Sequence, residues 1–109
     1  MLKRIKRRYL ALEVDSAETF DPKDFMNAVW SAVTQLYGEH GASQTGLSLI
    51  HYEPERKFAL VRVACMASDM VRAALATMTR IGDKPVTVHV IAVSGTIKAV
   101  YKNVGQMLA

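Results

Sequence analysis

The sequence predicts an α+β protein, a two-layer α/β sandwich built as β-α-β-β-α-β with a four-stranded antiparallel sheet and an extra C-terminal helix. Three observations predict it. Stretches of period-two alternation and of 3.6-residue apolar spacing take turns along the chain. Glycine or proline stands at most changes of period, as at Gly38, Gly82 and Pro85. A β-branched run, Val86 to Val93, passes through a short Ser94-Gly95-Thr96 junction straight into a last amphipathic segment.

Taken in order, Tyr9 to Val14 alternates with Leu10, Leu12 and Val14 on one face and reads as a first strand. Asp15 to Asp21 is a polar connection. Asp21 then has the chemistry of an N-cap, with Pro22 at the first helical position and Asp24 as its capping-box partner. Phe20 and Phe25 flank the cap at the spacing of a hydrophobic staple. Phe25, Met26, Val29, Trp30, Val33, Leu36 and Tyr37 carry the helical stripe to a stop at Gly38, and residues 38–46 read as a loop. Leu47 to Glu53 and Lys57 to Cys65 are a second and third strand, joined by a Pro54-Glu55-Arg56 hairpin link. Ser68 or Asp69 caps a second helix with its stripe at Val71, Ala74, Leu75, Met78 and Ile81, ended by Gly82. Val86 to Val93 is the fourth strand, and Thr96 to Leu108 a third helix carrying Ile97, Val100, Tyr101, Val104 and Leu108 on one side.

This order is that of ferredoxin-like and RRM-like domains. Right-handed crossovers place strands one and three in the centre of the sheet and two and four at its edges. Two helices need one sheet face. The other face holds Phe58, Leu60, Arg62 and Ala64 on strand three and Thr87, His89 and Ile91 on strand four. RNA-recognition modules present paired aromatics there for base stacking. The run KFALVRVAC lacks both the glycine and the paired internal aromatics, and the apolar stripe of the last helix predicts that this helix folds back over part of the face instead.

A chain of 109 residues is one domain, here a basic arm over residues 1–8 and a globular unit over 9–109. Half its residues are hydrophobic, which argues against disorder, and no apolar run approaches the roughly 20 residues of a membrane helix. A lone Cys65 allows neither an internal disulfide nor a cysteine-based zinc site and fits a reducing, cytoplasmic setting. The cysteine ends an apolar strand and is expected to fill core. The formal charge of +4 is unevenly placed: Lys3, Arg4, Lys6, Arg7 and Arg8 are five cations in the first eight residues, and removing them leaves about −1. Such an arm points to a polyanion partner, RNA more readily than DNA or lipid; the alternative is a solubilising tail. Lys98 and Lys102, at i and i+4, share the solvent side of the last helix, and Arg62 is placed to emerge from the sheet face away from the first two helices.

Catalytic chemistry is not legible. His51 and His89 fall on opposite edge strands, three strand spacings or roughly 14 Å apart, and His40 lies in a loop. No metal-binding spacing links them. Ser94-Gly95 lacks the G-x-S-x-G of a nucleophile elbow and reads as a helix cap. No pair of acids is placed for general acid–base work, so no catalytic residue, metal ligand or protein-bound cofactor is assigned.

Several runs carry a family resemblance. IGDKPVTVHVIAVSGTIKAV, with KRRYLALEV, AVWSAVTQLYGEHGAS, GLSLI and VRAALATMTRIG, resembles the ribonuclease P protein component 2 family, the small archaeal subunit shared with eukaryotic ribonuclease P. The match spans nearly the whole chain in the expected order, departing only in a short beginning and end. The resemblance implies a non-catalytic subunit of an enzyme that removes the 5′ leader of precursor tRNA by phosphodiester hydrolysis, in which the RNA subunit with bound Mg²⁺ is the catalyst. It implies ribonuclease P RNA and protein component 3 as partners, two copies of each protein forming a heterotetramer, with precursor tRNA and a second copy of this chain as further candidates. Lys3, Arg4, Lys6, Arg7, Arg8, Arg62, Lys98 and Lys102 are then the expected RNA contacts. Leu47, Leu49 and Ile91 are the expected protein-interface positions. The alternative from another class is a ferredoxin-like domain that oligomerises or holds a small ligand in the loop over residues 38–46.

Overall fold

The computed structural model describes residues 6–108, with side chains as far as residue 105. In chain order the elements are β1 (Arg7–Asp15), α1 (Pro22–Ser43), β2 (Ser48–Glu53), β3 (Phe58–Ala64), α2 (Ser68–Thr77), a short hairpin of β4 (Arg80–Ile81) and β5 (Lys84–Pro85), β6 (Thr87–Ser94) and α3 (Ile97–Leu108). The main sheet runs β2-β3-β1-β6 with every neighbouring pair antiparallel. The first and third strands are central, as right-handed crossovers require.

The two sheet faces are filled differently. Leu10, Leu12 and Val14 of β1 and Val61 and Val63 of β3 point into the larger core, where Phe25, Val29 and Val33 of α1 and Val71, Ala74 and Leu75 of α2 close over them. Burying each such side chain contributes about 1.5–3 kcal/mol. The opposite face carries a smaller cluster in which Ala11 and Leu60 meet Val100 and Val104 of α3, with Tyr9, Phe58, Ile91 and Ala92 packed around them. The last helix therefore does fold back across the face that an RNA-recognition module leaves open. A register shift between Ala11 and Leu12 lets both Ile91 and Ala92 reach that side.

Several local expectations are corrected. α2 ends at Thr77, whose hydroxyl donates to the Ala74 carbonyl at 2.7 Å, and Met78 is extended. Ile81 is still buried, but from β4: its spacing continues the helical stripe while Gly82, at φ +66°, closes a hairpin that Val86 N–H locks onto the Thr79 carbonyl at 3.0 Å. Ser68 and Asp69 lie inside α2, which follows a 3₁₀ turn over Cys65–Ala67 and has Ala67 at its cap position. Cys65 is thus half-buried in a turn rather than core. Asp21 does precede α1 with extended dihedrals, but its side chain makes no cap bond, so the capping box with Asp24 does not form. The Phe20–Phe25 pair is buried as expected. Gly38 breaks the helical dihedrals at φ +74°, yet residues 39–43 resume a helical turn where a loop was expected. Gly41 makes that tight return feasible, because a Cβ there would lie 2.7 Å from Tyr37 Cβ. At the last junction the cap falls on Thr96, whose Oγ1 accepts the Ala99 N–H at 3.1 Å, rather than on Ser94-Gly95.

Candidate nucleic-acid interface

Register decides which charges meet. β1 begins two residues earlier than the alternation suggests, so Arg7 and Arg8 belong to the sheet, paired with Ala64 and Val63. Lys6 is tied down too: its carbonyl accepts the Cys65 N–H at 2.8 Å. The described part of the basic arm is therefore a strand end. Lys3 and Arg4 lie outside the described residues.

At this end one cross-strand row reads Ser48, Arg62, Tyr9, Ser94 from edge to edge. Arg62 sits in the third strand and lies beside the first-strand arginines because β1 and β3 are antiparallel neighbours. Its Nε is buried and has no hydrogen-bond partner among the described residues. Arg8 reaches the β6–α3 junction, where its Nη1 would lie 3.2 Å from a Cβ on Gly95. Lys98 is exposed on the first turn of α3 and Lys102 on the next, both on the side away from Val100 and Val104. The structure thus brings Lys6, Arg7, Arg8, Arg62 and Lys98 to one end of the sheet. Arg7 and Arg62 also line a groove of about 600 Å³, with Trp30, Gln44, Ser48 and Met66 among its walls.

The opposite end carries the ion pairs. Glu53 faces His51 at 3.4 Å and Arg56 at 4.0 Å, Lys84 meets Glu18 at 3.4 Å, and His89 lies 4.0 Å from Asp15. Among the described residues none of the five basic-end cations makes such a pair. Above this end a largely apolar cleft of about 210 Å³ opens between the sheet and α3, walled by Phe58, Ile91 and Tyr101, with Glu13, Glu53, Arg56 and Lys57 also lining it. The Phe58 and Tyr101 rings lie 6.1 Å apart, and burial, with the nearby Glu53 charge, pushes the Tyr101 phenol up from its ordinary value.

The whole arrangement has relatives. A model of the Rpp14/Pop5 family matches residues 8–104. The chain belongs to the Rpp14/Pop5 family. Relatives named ribonuclease P protein component 2 include one from Methanosarcina barkeri, 34% identical over 95 residues that cover 87% of this chain and 69% of the relative. Another, from Pyrococcus abyssi, is 31% identical over 99 residues covering 91% of this chain and 84% of the relative. In fold the chain resembles one in the cryo-EM structure of yeast ribonuclease MRP, with a TM-score of 0.72 at 18% identity and 99% and 98% of the two chains covered. The family that the sequence runs resemble is thus the family to which this chain belongs.

Within this Rpp14/Pop5 domain the remaining sequence-derived positions fall as follows. Leu47 is buried in the larger core and Leu49 packs against it, which leaves Leu47 little surface to offer a partner. Ile91 lines the apolar cleft. The surface apolar residues that sequence reasoning did not single out as interface positions are Leu36, Ile50, Met66, Ile97 and Tyr101. His51 and His89 are exposed on opposite edge strands. No group of three or more His, Cys, Asp or Glu is arranged to hold a metal ion among the described residues. The turn over residues 38–46 closes on itself: the buried Thr45 hydroxyl donates to the Ala42 carbonyl at 2.8 Å and accepts the Leu47 N–H at 3.3 Å. No helix among the described residues is long and apolar enough to cross a membrane.

Proposed function

We propose that this chain is a non-catalytic protein subunit of ribonuclease P, which binds and stabilises the catalytic RNA for removal of the 5′ leader from precursor tRNA. The observation that carries the reading is the segregation of charge in a member of this family: five cations at one sheet end without a carboxylate partner among the described residues. Cations left unpaired at one site repel one another, and a phosphate backbone relieves that repulsion while releasing its own counterions. Strand pairing holds the backbone of Arg7, Arg8 and Arg62 in place before RNA arrives, so less backbone freedom is lost on binding. The chain's own residues neutralise and position phosphates. The Mg²⁺ that the cleavage requires belongs, in this reading, to the RNA. The protein partner is component 3, in a complex with two copies of each, and the exposed Ile97 and Tyr101 of α3 supply apolar surface for such a contact. The setting is cytoplasmic.

The test is reconstitution of precursor-tRNA cleavage from the family's RNA and component 3, with and without this chain. Faster cleavage at limiting Mg²⁺ is expected when the chain is added. No increase would count against a stabilising role, and cleavage by the chain alone would count against a non-catalytic one.

A further inference from the structure

We propose that the groove between Arg7 and Arg62 receives one unpaired nucleotide of the RNA, its phosphate on the two arginines and its base against Trp30 and Met66. The inference rests on the RNA-binding reading above and names the element of RNA that this site takes.

Four features converge on a nucleotide. Arg62 has a buried Nε with no hydrogen-bond partner among the described residues. Nε itself is closed off, but Arg62 as a whole is only partly buried and lines the groove, where its guanidinium fork suits a phosphate oxygen. No carboxylate lines the groove, so its electrostatics favour an anion. Its apolar wall is made by the side of the partly buried Trp30 and by Met66, which is 92% exposed. An indole face is a stacking surface for any base, and a thioether packs well against aromatic rings. The volume of about 600 Å³ falls in the range of small-molecule sites and is ample for a nucleotide.

The geometry also distinguishes single-stranded from paired RNA. A duplex keeps its bases inside and offers phosphates on a convex surface, so it can meet the arginines without reaching the apolar wall. Unpaired bases can be splayed into such a recess. α3 contributes no residue to the groove, so the helix that covers the middle of the sheet face leaves this corner open. Gln44 and Ser48 at the rim supply an amide and a hydroxyl for a base edge.

Fluorescence anisotropy with the full chain and two labelled RNAs, a ten-nucleotide single strand and a blunt duplex of the same length, tests this. Arg62→Met keeps the stem and removes the charge, and is expected to weaken single-strand binding at least fivefold and duplex binding by a smaller factor, that of one lost phosphate contact. Met66→Ala, at a highly exposed side chain, is expected to weaken single-strand binding two- to threefold and leave the duplex unchanged. Arg62→Lys, with an unchanged melting curve, controls for folding and should recover part of the affinity. Equal losses on both RNAs, or none on the single strand, overturn the nucleotide site. If Arg7→Gln with Arg8→Gln still reduces binding in that case, the RNA-binding reading survives alone; if the unmodified chain binds neither RNA, both fail.

Discussion

Where β1 finishes, cations meet carboxylates: Lys84 reaches Glu18 and Arg56 reaches Glu53, both at the protein surface. Where β1 begins, Arg7, Arg8 and Arg62 lie at one end of the sheet and make no such pair among the described residues. The same sheet therefore ends in two electrostatic regimes. Exposed pairs contribute at most about 1 kcal/mol each, so at the paired end the charges are largely matched within the chain itself. The other end concentrates like charge, the arrangement on which the proposed RNA contact rests. Charge composition alone does not separate the two regimes, because cations occur at both ends. Their partners separate them.

The sharpest way to break this comparison is a matched removal of two charges at each end. Arg7→Gln with Arg8→Gln is expected to weaken binding to the ribonuclease P RNA by about 10–100-fold, or about 1.4–2.7 kcal/mol. Arg56→Gln with Lys84→Gln, an equal change in net charge, is expected to alter it less than twofold. Equal losses from the two variants would mean that net charge, not placement, drives association.

A second variant, at the paired end, separates fold stability from RNA affinity. The Tyr52 hydroxyl donates to the Phe20 carbonyl at 2.7 Å and its ring stacks on Phe25 with centroids 5.3 Å apart. Tyr52→Phe should cost about 1 kcal/mol in urea denaturation and leave RNA affinity unchanged. Burial, aided by the Asp21 charge, raises the Tyr52 phenol above its ordinary value near 10. A raised folded value means that the protonated ring stabilises the fold fully below pH 10, and that this contribution is lost as pH rises through the folded value. Tyr101 is shifted the same way, so Tyr52→Phe is expected to reduce the alkaline fall in stability without abolishing it. A smaller effect is expected at the basic end: Thr96→Ala removes the cap of α3, costs about 0.5–1 kcal/mol and speeds hydrogen exchange at the Ala99 amide.

Much of this fold is legible in the sequence. Alternation in Tyr9–Val14 and the stripe from Phe25 to Tyr37 identified their elements because each buries one face and the period records which. The spare stripe of the last helix implied a second covered face, and Val100 and Val104 fill it. The end of α2 was misread because Ile81 satisfies a helical period and a hairpin position equally well; only the turn at Gly82 distinguishes them. The arm cations were visible as a run. Their company was not: Arg62 lies more than fifty residues away, and only strand register sets it beside Tyr9 and two pairs along from Arg7. Trp30 and Met66 carried no signal at all, since one belongs to a helical core stripe and the other to a turn.

The most direct measurement of the central claim is the salt dependence of RNA association for the unmodified chain and the two matched double variants. If five basic-end cations each displace a counterion, the log–log slope of affinity against salt is about −4. The account predicts that the slope flattens by about 2 in Arg7→Gln with Arg8→Gln and stays unchanged in Arg56→Gln with Lys84→Gln. A slope that is the same for all three proteins would contradict it.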